Sequence, residues 1–318
     1  MIENLKQIPL ILLLFIFSVT LSENVNAQII SQYGDPKYIG KKSTTTLDSA
    51  KLRIAYSLNY IPDSLKPQQI FKDRKILLIG DKTNHFYSYY ARLSDSALTA
   101  DWDKGKSSSG LRSPSGVQIE GAQIYTYPAT KERTVIEPII ALSTYKYQET
   151  IEHPQWKFSD DTCTILSYFC QKATARFRGR DWTVWFTMDI PIDAGPWKLC
   201  GLPGLILKAS DSRGHYIFEC IGIEQISQKK EPIIIRKAEY IDCTRTEYMK
   251  AQKQFYENYV NTLLAMGCNV VITDNNGKEI ETLLTPNKKY EEKNVAWMKS
   301  VNIADKNRKI PYNSIELE

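Results

Sequence analysis

The feature that most constrains this chain is the run from Cys170 to Ile190, where apolar and polar residues alternate on either side of Gly179. Successive side chains of a strand point to opposite faces, so such alternation demands one buried and one solvated face. With Gly179-Arg180 as a two-residue turn, glycine first as a type II′ turn wants, Phe177 faces Trp182, Ala175 faces Val184 and Ala173 faces Phe186. These residues share one face. The other face sets Lys172 against Thr187, Thr174 against Trp185 and Arg176 against Thr183. Arg178 then lies across from Asp181, an opposite-charge pair beside the turn. A one-residue slip would mix the two faces, so the pattern specifies the register.

The same period recurs elsewhere. Leu52, Ile54, Tyr56, Leu58 and Tyr60 alternate with polar residues and read as a first strand. Lys75 to Gly80 and Phe86 to Ala91 flank Asp81 to Asn84, a hairpin pattern. Gln123 to Tyr127, Arg133 to Ile140 and Tyr145 to Ile151 continue it. A hairpin around Arg213-Gly214 sets Lys208 opposite Glu219 and Ala209 opposite Phe218. Val270 to Thr273 and Glu279 to Leu284 read as a last hairpin, and the SIELE tail is strand-like. With 19 Tyr, 10 Phe and 6 Trp, the chain favours strands over helices. One helix stands out: Thr244 to Glu247 is a capping box, Ala251, Phe255, Tyr259 and Leu263 form a stripe, and Gly267 supplies the stop. Ser43 to Thr46 and Lys104 to Gly116 read as loops. The expected fold is mainly β (α+β): a curved antiparallel sheet of consecutive hairpins with one long amphipathic helix near the C-terminus.

Residues 1–27 read as a signal peptide. Ile8 to Leu21 has the length of a signal-peptide apolar core, too short for a transmembrane helix, and Val25-Asn26-Ala27 offers a cleavage site. Residues 28–318 then form a single β-rich domain, exported to the periplasm or the outer membrane and cell envelope. No later apolar run is long enough to span a bilayer. The formal net charge of +5 is too diffuse to argue for nucleic acid. Six cysteines permit disulfides in an exported chain. If Cys163 and Cys170 sit on one strand, they lie roughly 23 Å apart and on opposite faces, which argues against that pair.

Little points to catalysis. The three histidines, His85, His153 and His215, form no HExxH or Cys/His zinc pattern. There is no G-x-S-x-G elbow and no phosphate loop. Cys200 has only Lys198 near it in sequence, and Asp160-Asp161 reads as a strand-end cluster. No catalytic residue, metal or cofactor is assigned. Lys172, Arg176, Arg178 and Trp185 form the candidate binding face, suited to an anionic lipid headgroup or a glycan. The plainer reading is the solvated side of a sheet.

At Arg178-Gly179-Arg180, Ile190-Pro191, Gly195-Pro196-Trp197 and above all Gly201-Leu202-Pro203-Gly204-Leu205-Ile206, the chain resembles the GLPGLI family of exported bacterial proteins. The resemblance is strongest over about residues 160–224. It implies export and names no reaction and no catalytic residue. Three Asp-Ser-apolar triplets, at Asp48, Asp63 and Asp95, look like the O-glycosylation acceptors of bacteria that carry the family. In the hexapeptide, Pro203 and Gly204 suit positions i+1 and i+2 of a type II turn, with Gly204 at positive φ. Gly201 would let the chain pass close to a neighbour such as Trp197. Leu202 and Leu205 would tuck the turn into the core. The function expected is a non-enzymatic binding or accessory protein for a lipid, a glycan or an envelope protein. An envelope hydrolase is the alternative, and a purely structural subunit a third reading.

Overall fold

The computed structural model describes residues 44–64, 66–93, 96, 121–139, 143–226, 231–237, 240–258, 261, 269–273, 279–283, 300–303 and 314–317. The proposed signal peptide and the 104–116 loop lie outside the described residues. One compact unit takes in Asn26–Tyr259 and Lys309–Glu318, and a second takes in Met1–Val25 and Val260–Arg308.

The larger unit is mainly β. Strand β1 (Thr44–Ala50) is followed by β2 (Leu52–Tyr60), β3 (Phe71–Ile79), β4 (Asn84–Ser88), β5 (Gln123–Tyr127), β6 (Glu132–Ile139) and β7 (Ser143–Thr150). Then come β8 (Lys157–Ile165), β9 (Tyr168–Phe177), β10 (Arg180–Thr187), β11 (Leu205–Asp211), β12 (Tyr216–Gln225), β13 (Glu231–Arg236) and β14 (Ile241–Asp242). The runs β2 to β7 and β8 to β12 are consecutive antiparallel neighbours, joined where β12 pairs with β2. With β14 added parallel to β7, the sheet has 12 strands. Strands β1 and β13 form a separate antiparallel pair. Thr44 to Thr46, expected as part of a loop, are therefore strand: threonine favours extended backbone, and the three face Arg236, Ile235 and Ile234 of β13.

The sheet curls around its own β10–β11 connection. On the inner face Tyr56 of β2 donates to the carbonyl of Ile206 at 2.8 Å. Phe86 of β4 meets Phe218 of β12 edge-on, with ring centroids 6.2 Å apart. Between them the connection buries Trp197, Leu199 and Leu202. The outer face of β3 to β6 carries a second apolar cluster, with Leu78, Tyr125 and Ile136 packed under Ile233 of β13. Strands covered on both sides explain why β4 is buried along its whole length.

The registers refine the sequence pattern. The β11–β12 pairing Lys208↔Glu219 and Ala209↔Phe218 is as expected. In the β9–β10 hairpin the faces are as expected, but the pairing is displaced by two residues. Phe177 faces Arg180, Ala175 faces Trp182, and Asp181 meets Arg176 rather than Arg178. The turn is Arg178-Gly179, with φ of 50° and 77°. Two positive values are those of a type I′ turn, which fits the twist of a hairpin. Arg178 accepts this left-handed backbone because its guanidinium is held by Glu149 and Glu152, at 3.5 and 3.3 Å.

Cys163 and Cys170 do not share a strand. They are directly opposed on β8 and β9, across a turn at Leu166-Ser167 with φ of 48° and 71°. A turn without Gly or Asn at its positive-φ positions carries no sequence signal, so the two strands read as one. Among the described residues the five cysteines are free thiols and no disulfide is formed.

The helix is confirmed over Arg245–Glu257, 13 residues. Thr244 accepts from the Glu247 amide and the Glu247 carboxylate accepts from the Thr244 amide, completing the capping box. Phe255 is buried and Asn258 caps the end. A long helix reaching Gly267 is not shown; Tyr259 and Leu263 lie outside the described residues. The SIELE tail is not a strand over 314–317. It is held by side chains: Arg180 donates to the carbonyls of Ser314 and Ile315. In the smaller unit β15 (Asn269–Thr273) pairs antiparallel with β16 (Glu279–Leu283), the expected hairpin, and parallel with β17 (Ser300–Ile303).

Candidate functional site

The motif connection is a packed plug. Gly195, Pro196 and Trp197 lead into it. Trp197 lies 5.7 Å from the Trp182 ring and 5.8 Å from Phe177. Leu202, Leu205 and Ile206 are buried, while Pro203 is exposed. The roles of the two glycines are exchanged relative to the sequence reading. Gly201 takes the positive φ, +89°, and sits against the His153 side chain rather than Trp197. Gly204 has no positive φ, so the type II turn at Pro203-Gly204 is not formed. Gly204 is needed for close approach: a Cβ there would lie 2.7 Å from the Thr187 carbonyl carbon and nearer still to its oxygen. Asp193 accepts from the amides of Gly201 and Leu202, which turns the chain where Gly201 permits it.

Beside the plug lies a buried ion network. The Lys198 side chain is fully buried, 3.0 Å from Glu149 and 2.5 Å from Glu316. Arg245 reaches Glu316 at 2.7 Å, and Arg178 reaches Glu149 at 3.5 Å. Arg133, also buried, donates to the Lys198 carbonyl at 2.9 Å and to Cys200 Sγ at 3.1 Å. Burial alone would raise the Glu316 carboxyl, but Lys198 and Arg245 outweigh it and hold its pKa below the ordinary 4.5. Burial pushes the Cys200 thiol up despite Arg133, so Cys200 is not an activated nucleophile. Charges this deep persist only when paired. The network ties β6, β7, the β9–β10 turn, the plug, the helix and the tail together, and its chemistry is structural.

The candidate binding face is dispersed by this arrangement. Lys172 and Trp185 remain together on the outer face, with the ammonium 6.0 Å from the indole centroid, but Lys172 is paired with Asp161 at 2.7 Å. Arg176 is paired with Asp181 at 3.7 Å. Arg178 turns inward to Glu149.

A concave feature lies elsewhere, on the outer side of β4 and β5 under β13. It is a cavity of about 130 Å³, lined by His85, Tyr87, Arg92, Gln123, Tyr125 and Arg236 among others. Register builds it. His85 and Tyr125 are direct cross-strand partners, so their rings stack with centroids 4.1 Å apart, 11° from parallel. Tyr87, two residues along, lies against the imidazole with centroids 4.7 Å apart, tilted by 30°. The Tyr125 hydroxyl is anchored on Gln123 Oε1 and the Ile234 carbonyl, at 3.1 and 2.9 Å. A helical turn at residues 89–93 brings in Arg92, whose guanidinium lies 5.1 Å over the Tyr87 ring. Ser96 is exposed and Arg92 half-exposed, so the cavity opens on that side.

His85 is 2% exposed; neither ring nitrogen makes a hydrogen bond of good geometry, and Gln123 is the polar side chain beside it. Burial, then the Arg92 charge, push its pKa down to about 3, so the imidazole is neutral. A buried polar atom without a partner costs roughly 1–3 kcal/mol, which marks the cavity floor as a place where a water or ligand atom would be gained. The sequence passed over His85 because a lone histidine in a strand has no motif. Its neighbours on that face, Tyr87, Gln123 and Tyr125, are assembled only by the β4–β5 register.

A family model described as N-glycanase peptide, N-terminal domain, matches residues 130–246. Two solved structures of PNGF-II, in the P21 and C2 space groups, superpose with TM-scores of 0.41 and 0.40 at 14% identity. They cover 66% and 65% of this chain and 33% and 32% of their own. The chain therefore spans about a third of their length. No curated protein matches. The GLPGLI assignment is corrected by the family model: the one that matches is the N-glycanase domain, and none supports GLPGLI. The hexapeptide misled because its composition is that of a buried corner, set by packing. The matched segment holds Arg236 and the members of the ion network other than Glu316, whereas His85, Arg92 and Gln123 precede it.

Proposed function

We propose that the chain is a non-enzymatic glycan-binding module, exported to the cell envelope, with its sugar seated in the cavity floored by His85. The cavity carries this reading. It combines aromatic faces with guanidinium, amide and hydroxyl groups, the mixture that a polyhydroxylated ring requires: apolar contact for its C–H face and polar partners for its oxygens. An acyl chain would offer no polar partner to the Arg92 guanidinium, which disfavours a lipid. The likeness of residues 130–246 to a domain of an N-glycanase supports a glycan over a protein partner. That same likeness favours the second reading, a glycan hydrolase, for which release of sugar from a denatured N-glycoprotein by the purified chain would speak.

The test is isothermal titration with oligosaccharides released from N-glycoproteins. The chain should bind, and Ser96→Trp, which obstructs the open side of the cavity, should abolish binding with the melting temperature retained. Binding undiminished in that variant would place the sugar elsewhere.

A further inference from the structure

We infer that the sugar this cavity takes is an acidic one, bearing a carboxylate that pairs with Arg92. This rests on the glycan-binding reading of the same site and names the class of ligand. Among the described residues that line the cavity, the groups of formal charge are Arg92 and Arg236, and none is a carboxylate. His85 adds no charge, since burial keeps it neutral. Arg92 forms no ion pair among the described residues; it lies over the Tyr87 ring at the open side of the cavity. Lys198, Arg178, Arg180 and Arg245, by contrast, each meet a carboxylate within 3.5 Å. An arginine stacked on an aromatic ring presents its N–H edge outward, in the planar fork that matches a carboxylate with two parallel hydrogen bonds. A neutral sugar would use that edge only for hydroxyl contacts, which are weaker than charge-assisted ones.

The cavity also orders the ligand. The carboxylate belongs at the open side with Arg92, where the charge keeps partial contact with water. The uncharged part of the ring goes inward, against Tyr87 and toward the Ile234 wall, within reach of the His85 imidazole.

The experiment compares methyl β-D-glucuronide with methyl β-D-glucoside, and N-acetylneuraminic acid with N-acetylmannosamine, by titration into the full chain in low salt. The acidic member should bind about tenfold more tightly than its neutral counterpart, the difference expected of one charge-assisted pair. Added salt should narrow the gap. Arg92→Gln should remove the preference while leaving the melting temperature unchanged, because the side chain is half-exposed. Equal or tighter binding of the neutral sugars overturns the inference and leaves the glycan site standing. Binding of none of the four sugars, alongside none of the N-glycan oligosaccharides, overturns the site itself. Inorganic sulfate competing as well as the glucuronide at equal concentration would show an anion site without sugar recognition, and also overturns it.

Discussion

Replacing Gly204 with alanine tests how the plug is built. A Cβ on Gly204 would fall 2.7 Å from the Thr187 carbonyl carbon and 3.1 Å from Met188 Cα. These are backbone atoms at the end of β10, and Thr187 is fully buried and paired with Leu205. No side-chain rotation relieves the clash, so β10 and β11 must separate at that pair. Overpacking that moves backbone costs about 3 kcal/mol, the upper part of the usual range. For a unit of this size that lowers the melting temperature by about 6–12 °C. Gly201 fails differently: its φ is +89° and its neighbour is the His153 side chain, which can yield. Asparagine tolerates left-handed backbone better than alanine, so Gly201→Asn should be milder than Gly201→Ala. Gly204→Asn should be at least as damaging as Gly204→Ala. Thermal unfolding of the four variants by circular dichroism decides. A Gly204→Ala melting temperature within 2 °C of the parent, or a rescue of position 204 by asparagine, would refute the close-approach argument.

Lys198→Met should cost about 3–5 kcal/mol, because it strands Glu149 and Glu316 without their shared cation; adding Glu316→Gln should recover part of the loss in denaturant titrations. Acid should weaken the fold in two stages. His85, lowered to about 3, contributes stability that is full above its ordinary 6.5 and is lost as pH falls, at up to about 1.4 kcal/mol per pH unit; His85→Phe should flatten that decline. Glu316, lowered below 4.5, contributes stability that is present above that value and lost below it, so Glu316→Gln should flatten the more acidic limb. Cys170 and Cys220, pushed up to about 11 by burial, should react with a thiol reagent at pH 7 only as fast as the protein unfolds; rapid labelling of either in the native state would contradict their placement.

Most of the hairpin ladder is legible in the sequence, because period-2 alternation and burial on one face restate the same constraint. What fails is local turn chemistry. Arg178 and the Leu166-Ser167 turn adopt positive φ without a residue that advertises it. The hairpin at β9–β10 is displaced by two residues as a result, and Cys163 and Cys170 change from disfavoured to facing. The plug shows the same limit in three dimensions. Pro203-Gly204 has the composition of a type II turn, but the requirement at Gly204 comes from Thr187, 17 positions earlier, and no local rule reports it. The basic face was legible as residues and illegible as a site, since Asp161, Asp181 and Glu149 neutralise it from neighbouring segments. The cavity was invisible for the converse reason. Its lining comes from β4, the 89–93 turn, β5 and β13, each contributing one to three ordinary residues.

The central claim, that a sugar sits in the cavity under Arg92 and against His85, is tested most directly by imidazole NMR. The chain has three histidines, so the His85 ring signals can be assigned by one substitution. On titration with N-glycan oligosaccharides, the His85 ring ¹⁵N and ¹H resonances should move saturably, with the same midpoint as the calorimetric binding, while those of His153 and His215 stay still. Saturation of binding with His85 unmoved would contradict the account.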